Sequence, residues 1–138
     1  MPADTVTVAR DVLSHLNSWE DKPCKFALEE LPNKAPSLML QPLAGSGILR
    51  RYVDGSFIGL FSFAVYYRTD MADTSEKLTA YEVLENLAYW LENSDLPELS
   101  GNRTSLQIEQ TATPAIASIN DDMQDYQTIF ELRYKQKT

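Results

Sequence analysis

The chain holds one histidine, His15, and one cysteine, Cys24. These two side chains are best suited to nucleophilic, acid–base or metal chemistry near neutral pH, because their protonation changes within reach of it. Neither has the company such chemistry needs. His15 sits beside Leu16 with no second His or Cys nearby, so neither a metal site nor a nucleophilic triad can be assembled around it in the usual way. Cys24 follows Pro23 and has no sequence-local base, so it reads as a structural or incidental thiol rather than a nucleophile. Carboxylates are plentiful, but Glu29-Glu30 and Asp121-Asp122 read as solvated surface charges, with no neighbouring pattern that would raise one pKa for acid–base work. Asp121, Asp122 and Asp125 could loosely hold a hard cation, yet their spacing is not that of a calcium loop and no glycine supplies its turn. Gly45-Ser46-Gly47 leads into a strand, whereas a phosphate-cradling loop should open a helix. The residues therefore nominate no catalytic group, no metal ligand and no cofactor, and nothing in them asks for an enzyme.

Composition narrows the class further. With 138 residues, 43% hydrophobic and 23% charged, the chain fits a single domain over residues 1–138, long enough to bury a core. Its formal net charge of −8 and its 12 Lys and Arg, spread along the whole length, argue against a dedicated nucleic-acid binder, which needs clustered cations. A lone cysteine allows no intrachain disulfide and fits a reducing compartment. The first residues are polar and acidic with no apolar stretch behind them, so no signal peptide is expected. No run reaches the roughly 18 apolar residues of a spanning helix. The expectation is a soluble, intracellular protein without membrane contact.

The elements follow from periodicity. Val6, Ala9, Val12, Leu13, Leu16 and Trp19 recur at helical steps and predict an amphipathic helix over 5–19, with Asp4 or Thr5 as its cap. Residues 20–37 hold three prolines and read as a connector, with a short helical turn around 26–31. Strands are predicted over 37–43, 48–53 and 56–68, the last two joined by a two-residue Asp54-Gly55 turn. Asp73 and Glu76 form an acidic capping box for a second helix. Its stripe is Leu78, Tyr81, Leu84, Leu87, Ala88 and Leu91. A strand over 106–111 has Leu106 and Ile108 on one face. A long loop from Thr113 to Asp125 then precedes a closing strand, 126–135, with Thr128, Phe130, Leu132 and Tyr134 alternating against Ile129, Glu131, Arg133 and Lys135. The order α-β-β-β-α-β-β predicts an α+β fold: a mainly antiparallel sheet of about five strands with two principal helices on one face.

The third strand, SFIGLFSFAVYYR, is apolar on nearly every residue. Alternation puts Phe57, Gly59, Phe61, Phe63, Val65 and Tyr67 on one side, the natural core face. The other side carries Ile58, Leu60, Ser62, Ala64 and Tyr66, too apolar for an outer face that should be solvated in a two-layer domain. Either a loop or the Pro-rich 20–37 connector folds across it, or it is a subunit interface. The residues Ile58, Leu60 and Tyr66 are the candidate interface, because contiguous exposed apolar patches mark partners and two long loops, one marked by Pro97 and Gly101 and the other from Thr113 to Asp125, suit contacts with neighbours.

Three places carry a family resemblance. One is Tyr52-Val53-Asp54-Gly55-Ser56 with the aromatic strand through Phe63 and Arg68. The second is the helix end Leu87-Ala88-Tyr89-Trp90-Leu91. The third is Ile108-Glu109, Pro114, Asp121-Asp122 and Tyr126-Gln127, leading into Phe130-Glu131-Leu132-Arg133-Tyr134. Together with the element order, they make the chain from about residue 38 onward resemble the minor capsid protein family of bacteriophages and prophages, which is similar to siphophage tail terminators. The first 37 residues match only in having a helix. The resemblance implies a structural, non-catalytic protein of the virion, assembled in the bacterial host cytoplasm and needing no cofactor. It implies a homo-oligomeric ring, commonly a hexamer, at the head–tail junction, where it stops tail-tube growth and meets the head connector. Its partners would be itself, the tail tube protein and head connector proteins, with no sequence-specific nucleic acid binding. An acidic lumen would let DNA slide, since carboxylates repel phosphates. The competing reading is a small α+β module of bacterial origin that binds a ligand or a protein.

Overall fold

The structure, a computed structural model, describes residues 2–31, 35–70, 74–119 and 123–138. A first helix, α1, spans Pro2–Asn17. It buries Val8, Ala9, Val12 and Leu16, with Trp19 just beyond its end. Val6, expected in this stripe, is 54% exposed. At 100° per residue it lies about 110° round the helix from the centre of the buried face. The side chains of Asp4 and Thr5 lie outside the described residues, and so does the capping box at Asp73 and Glu76. The second helix, α2, spans Thr74–Asn93 and buries Ala80, Leu84, Leu87, Ala88 and Leu91. Leu78 is exposed for the same geometric reason as Val6.

Six strands form one sheet: β1 (Phe26–Leu28), β2 (Ser37–Pro42), β3 (Gly47–Arg51), β4 (Phe57–Asp70), β5 (Arg103–Ile119) and β6 (Met123–Gln136). Their spatial order is β1-β2-β4-β6-β5, with β3 also on β4. All pairings are antiparallel except β1 with β2. The expected fold class therefore holds, with one strand more than the sequence predicts. The extra strand is β1, where a helical turn was expected. It is an edge strand whose Phe26 N–H donates to Asn17 Oδ1 (2.8 Å) and whose Phe26 carbonyl accepts from Asn17 Nδ2. The end of α1 thereby ties down the connector and satisfies part of that edge.

The apolar character of β4 follows from its position. It is the spine of the sheet, with β6 along its full length on one side and β2 and β3 in succession on the other. Phe57, Gly59, Phe61, Phe63, Val65 and Tyr67 all face the helices and are buried, as alternation predicts. Gly59 lies opposite Tyr134, whose ring fills the space a side chain would need. Phe63 stacks between Phe61 (5.4 Å) and Phe130 (5.5 Å) at the centre of the core.

Two expectations about connections are corrected. The β3–β4 turn is a three-residue loop, Val53-Asp54-Gly55, closed by Tyr52 N–H donating to the Ser56 carbonyl and Gly55 N–H to the Tyr52 carbonyl. Only Gly55 has positive φ (92°), whereas a two-residue turn of the expected type would put Asp54 there too. The Asp54 carboxylate instead accepts from Ser56 N (3.0 Å) and Ser56 Oγ (2.6 Å), which fixes the local conformation. The register of β3 shifts accordingly, with a further irregularity between Ile48 and Arg50. The expected long loop before the last strand is also absent: β5 continues to Ile119 and pairs with β6 along its length. Four register shifts interrupt that pairing, and Pro114 sits within one of them, on an edge strand where a missing N–H is tolerated. One shift, between Ser105 and Gln107, leaves Leu106 exposed while Ile108 stays buried.

Candidate functional site: the outer face of the sheet

Both helices contribute to one core cluster with the inward residues of β2, β4, β5 and β6. The opposite face of the sheet carries no helix among the described residues. On it β4 presents Ile58, Leu60, Ser62, Ala64, Tyr66 and Arg68, and the neighbouring strands supply the residues in register. Lys135, Arg133, Glu131, Ile129, Gln127 and Asp125 come from β6; Met39 and Gln41 come from β2 beside Tyr66 and Ala64. The small residues Ser62 and Ala64 are buried between these larger neighbours, while Ile58, Leu60 and Tyr66 are half-buried. The three candidate interface residues thus share one face, as their spacing predicts. The described part of the connector forms β1 at the sheet edge, and its Leu31 carbonyl accepts from Arg68 Nη1 at the Tyr66 end of this face.

The three residues do not form one tight patch. Ile58 and Leu60 lie toward the β3 end, and Ser62 and Ala64 separate them from Tyr66. Basic side chains surround the first pair. Arg50 pairs with Ile58 from one side and Lys135 from the other, and Arg133 lies opposite Leu60. Arg51, on the inward side, places its guanidinium over the Phe57 ring (5.8 Å), and the Lys135 ammonium lies over Tyr52 (5.5 Å). The basic residues are spread along the sequence, but pairing across β4 gathers Arg50, Arg51, Arg133 and Lys135 at one end of the sheet.

The other end holds an ion pair that the sequence did not reveal. Arg68 Nε donates to Asp125 Oδ1 (2.7 Å) and Arg68 Nη2 to Asp125 Oδ2 (2.9 Å), with side-chain exposures of 13% and 7%. The guanidinium holds the Asp125 carboxyl below the usual carboxylate range; burial opposes this and the Ser118 hydroxyl adds to it. Asp125 is thus engaged by Arg68, while Asp121 and Asp122 lie outside the described residues. Among the described residues no cluster of three or more His, Cys, Asp or Glu is placed to hold a metal. Since the folded pKa is depressed, the pair stabilises the fold above the unfolded value of about 3.9 and its contribution is lost as pH falls through the folded value. Asp125→Asn should cost about 3 kcal/mol at pH 7 and flatten the loss of stability on acidification. Urea titrations at pH 7 and pH 3 check this: the gap between wild type and variant should be smaller at the lower pH, and an unchanged gap would contradict the assignment.

His15 and Cys24 stand apart from this face. His15 stacks on Trp90 (4.8 Å between ring centres), which stacks in turn on the buried Trp19 (6.0 Å). Burial lowers the His15 pKa and the nearby Asp95 partly offsets it. The imidazole forms part of the wall of a cleft of about 470 Å³ that also involves Asp11, Asp95 and Glu98. Among the described residues His15 Nε2 is buried without a hydrogen-bond partner. Cys24 is half-buried against the core. Glu29 and Glu30 are exposed. None of the described helices is long and apolar enough to cross a membrane. No protein-family model matches the chain, and no curated protein matches its sequence.

Proposed function

We propose that the chain is a structural, non-catalytic subunit of a phage or prophage particle: a tail terminator or minor capsid component. In this reading copies form a ring at the head–tail junction that ends tail-tube growth and contacts the head connector. The observation that carries the reading is the half-apolar outer sheet face at Ile58, Leu60 and Tyr66, which lies opposite the face that packs on the two helices. Apolar side chains left partly open on an outer sheet face, here the neighbouring Ile58 and Leu60, offer a surface for a partner. The resemblance of the hairpin, the α2 end and the closing strand supplies the kind of partner: further copies, then tail tube and connector proteins. A negative charge of −8 suits a ring whose lumen passes DNA without gripping it. The role needs no cofactor, and it places the protein in the virion after assembly in the host cytoplasm. Imaging of tail tubes polymerised with and without the chain tests this. Tubes capped at one end and limited in length are the expected result. Uncapped tubes, with a chain that stays monomeric and retains a small molecule in the His15–Trp90 cleft, would favour the binding-module alternative.

A further inference from the structure

The ring reading leaves open which surfaces meet, and the charges of this chain answer that. Five of its twelve Lys and Arg, Arg50, Arg51, Arg133, Lys135 and Lys137, lie on β3 or at the end of β6, which β4 brings side by side. Of these, Arg50, Arg133 and Lys135 flank Ile58 and Leu60 on the outer face. On the helix side lies the opposite arrangement: the cleft with Trp90 and His15 stacked in its wall and the carboxylates of Asp11, Asp95 and Glu98 around it. Asp11 accepts from Ser100 N (2.8 Å) and Ser100 Oγ (2.9 Å). Among the described residues none of these carboxylates or outer-face cations is in an ion pair.

The two patches occupy the same end of the molecule on opposite faces. The segment holding Asp95 and Glu98 runs directly into β5, whose first residues Arg103 and Thr104 pair with Gln136 and Lys135. Lys137 N–H also donates to the Asn102 carbonyl (2.9 Å), tying the end of β6 to that segment. We infer that the basic end of the outer sheet face docks on the acidic, aromatic-walled cleft of a second copy of this chain, in a head-to-tail contact; this rests on the ring reading above. The contact buries Ile58 and Leu60, sets Arg50 and Arg133 against Asp95 and Glu98, and offers the exposed part of Trp90 to a guanidinium. A two-fold contact centred on Ile58 and Leu60 would set Arg50 and Arg133 against basic side chains of the other copy, which like-charge repulsion disfavours. Patches on opposite faces give a heterologous interface, the kind that closes into rings. A phosphate backbone is the poorer occupant, because Ile58 and Leu60 lie within the basic patch and Glu131 and Glu109 border it.

The test uses two variants of the full chain, each changing exposed positions only: Arg50→Glu with Arg133→Glu, and Asp95→Lys with Glu98→Lys. Alone, each should associate at least about tenfold more weakly than wild type in sedimentation velocity, because like charges then face each other. Mixed one to one, they should recover assembly to within about threefold of wild type, since each acidic sheet face now meets a lysine-bearing cleft. Wild-type rings whose assembly neither variant weakens, or variants that fail to rescue each other, would overturn this docking while leaving the ring reading intact. A wild-type chain that does not associate would overturn both. Binding of duplex DNA that Arg50→Glu with Arg133→Glu abolishes, without effect on self-association, would assign the basic patch to nucleic acid instead.

Discussion

Phe63→Ala should lose about 4 kcal/mol of stability, the largest loss expected from a single core truncation in this chain. Phe63 is fully buried on β4, pairs with Phe130 of β6 and Pro42 of β2, and stacks on both Phe61 and Phe130. Removing its ring deletes contacts on three strands at once and leaves a cavity whose walls, held by the sheet ladder on both sides, cannot readily close. Domains of this size have a total stability of about 5–15 kcal/mol, so the variant should unfold roughly 15 °C lower and approach instability under mild denaturant. Phe63→Leu, which keeps most of the volume, should cost about 1.5 kcal/mol. Urea titrations of both variants check the pair. A loss below about 1 kcal/mol for Phe63→Ala would mean that the aromatic stack is not the centre of the core.

Leu60→Asp should have the opposite profile: little change in fold, large loss of assembly. Leu60 is half-buried on the outer face between Gly47 of β3 and Arg133 of β6. In the isolated chain a carboxylate there keeps access to water and gains a cationic neighbour, so stability should change by less than about 1 kcal/mol. Within a subunit contact the same carboxylate is desolvated and faces the acidic cleft of the next copy, a cost of at least about 2.7 kcal/mol, or a hundredfold in association. Circular dichroism melting and sedimentation velocity on one sample separate the two effects. Unfolding would mean that the chain covers this face itself, and undiminished assembly would mean that copies meet elsewhere.

Legible in sequence were the two helices, from their three- and four-residue steps, and the strands with a strict two-residue period. In β4 and β6 that period assigned every inward side chain from Phe57 to Tyr67 and from Thr128 to Tyr134. The faces survived an error in the turn between β3 and β4, because β6 and β2, not the turn, fix the orientation of β4. The turn itself was misread because Asp-Gly suits two loop lengths, and the hydrogen bonds from Ser56 to Asp54 decide between them. Strand β5 was only half legible: its four register shifts break the alternation, and Pro114 among Ala and Thr residues looks like a loop. The candidate surface was legible in Ile58, Leu60 and Tyr66, but its charges were not. Arg50 meets Lys135 only through Ile58, and Arg68 meets Asp125 across 57 positions. Such pairings depend on sheet register, which no local pattern encodes.

The central claim, that copies of this chain close into a ring through the outer sheet face, is tested most directly by the native mass of the concentrated protein, with images of the same sample. The account predicts a single closed species of several copies, about six, that loosens as salt is raised and is lost in Leu60→Asp. A folded monomer at every concentration, or a two-fold dimer indifferent to salt and to Leu60→Asp, would contradict it.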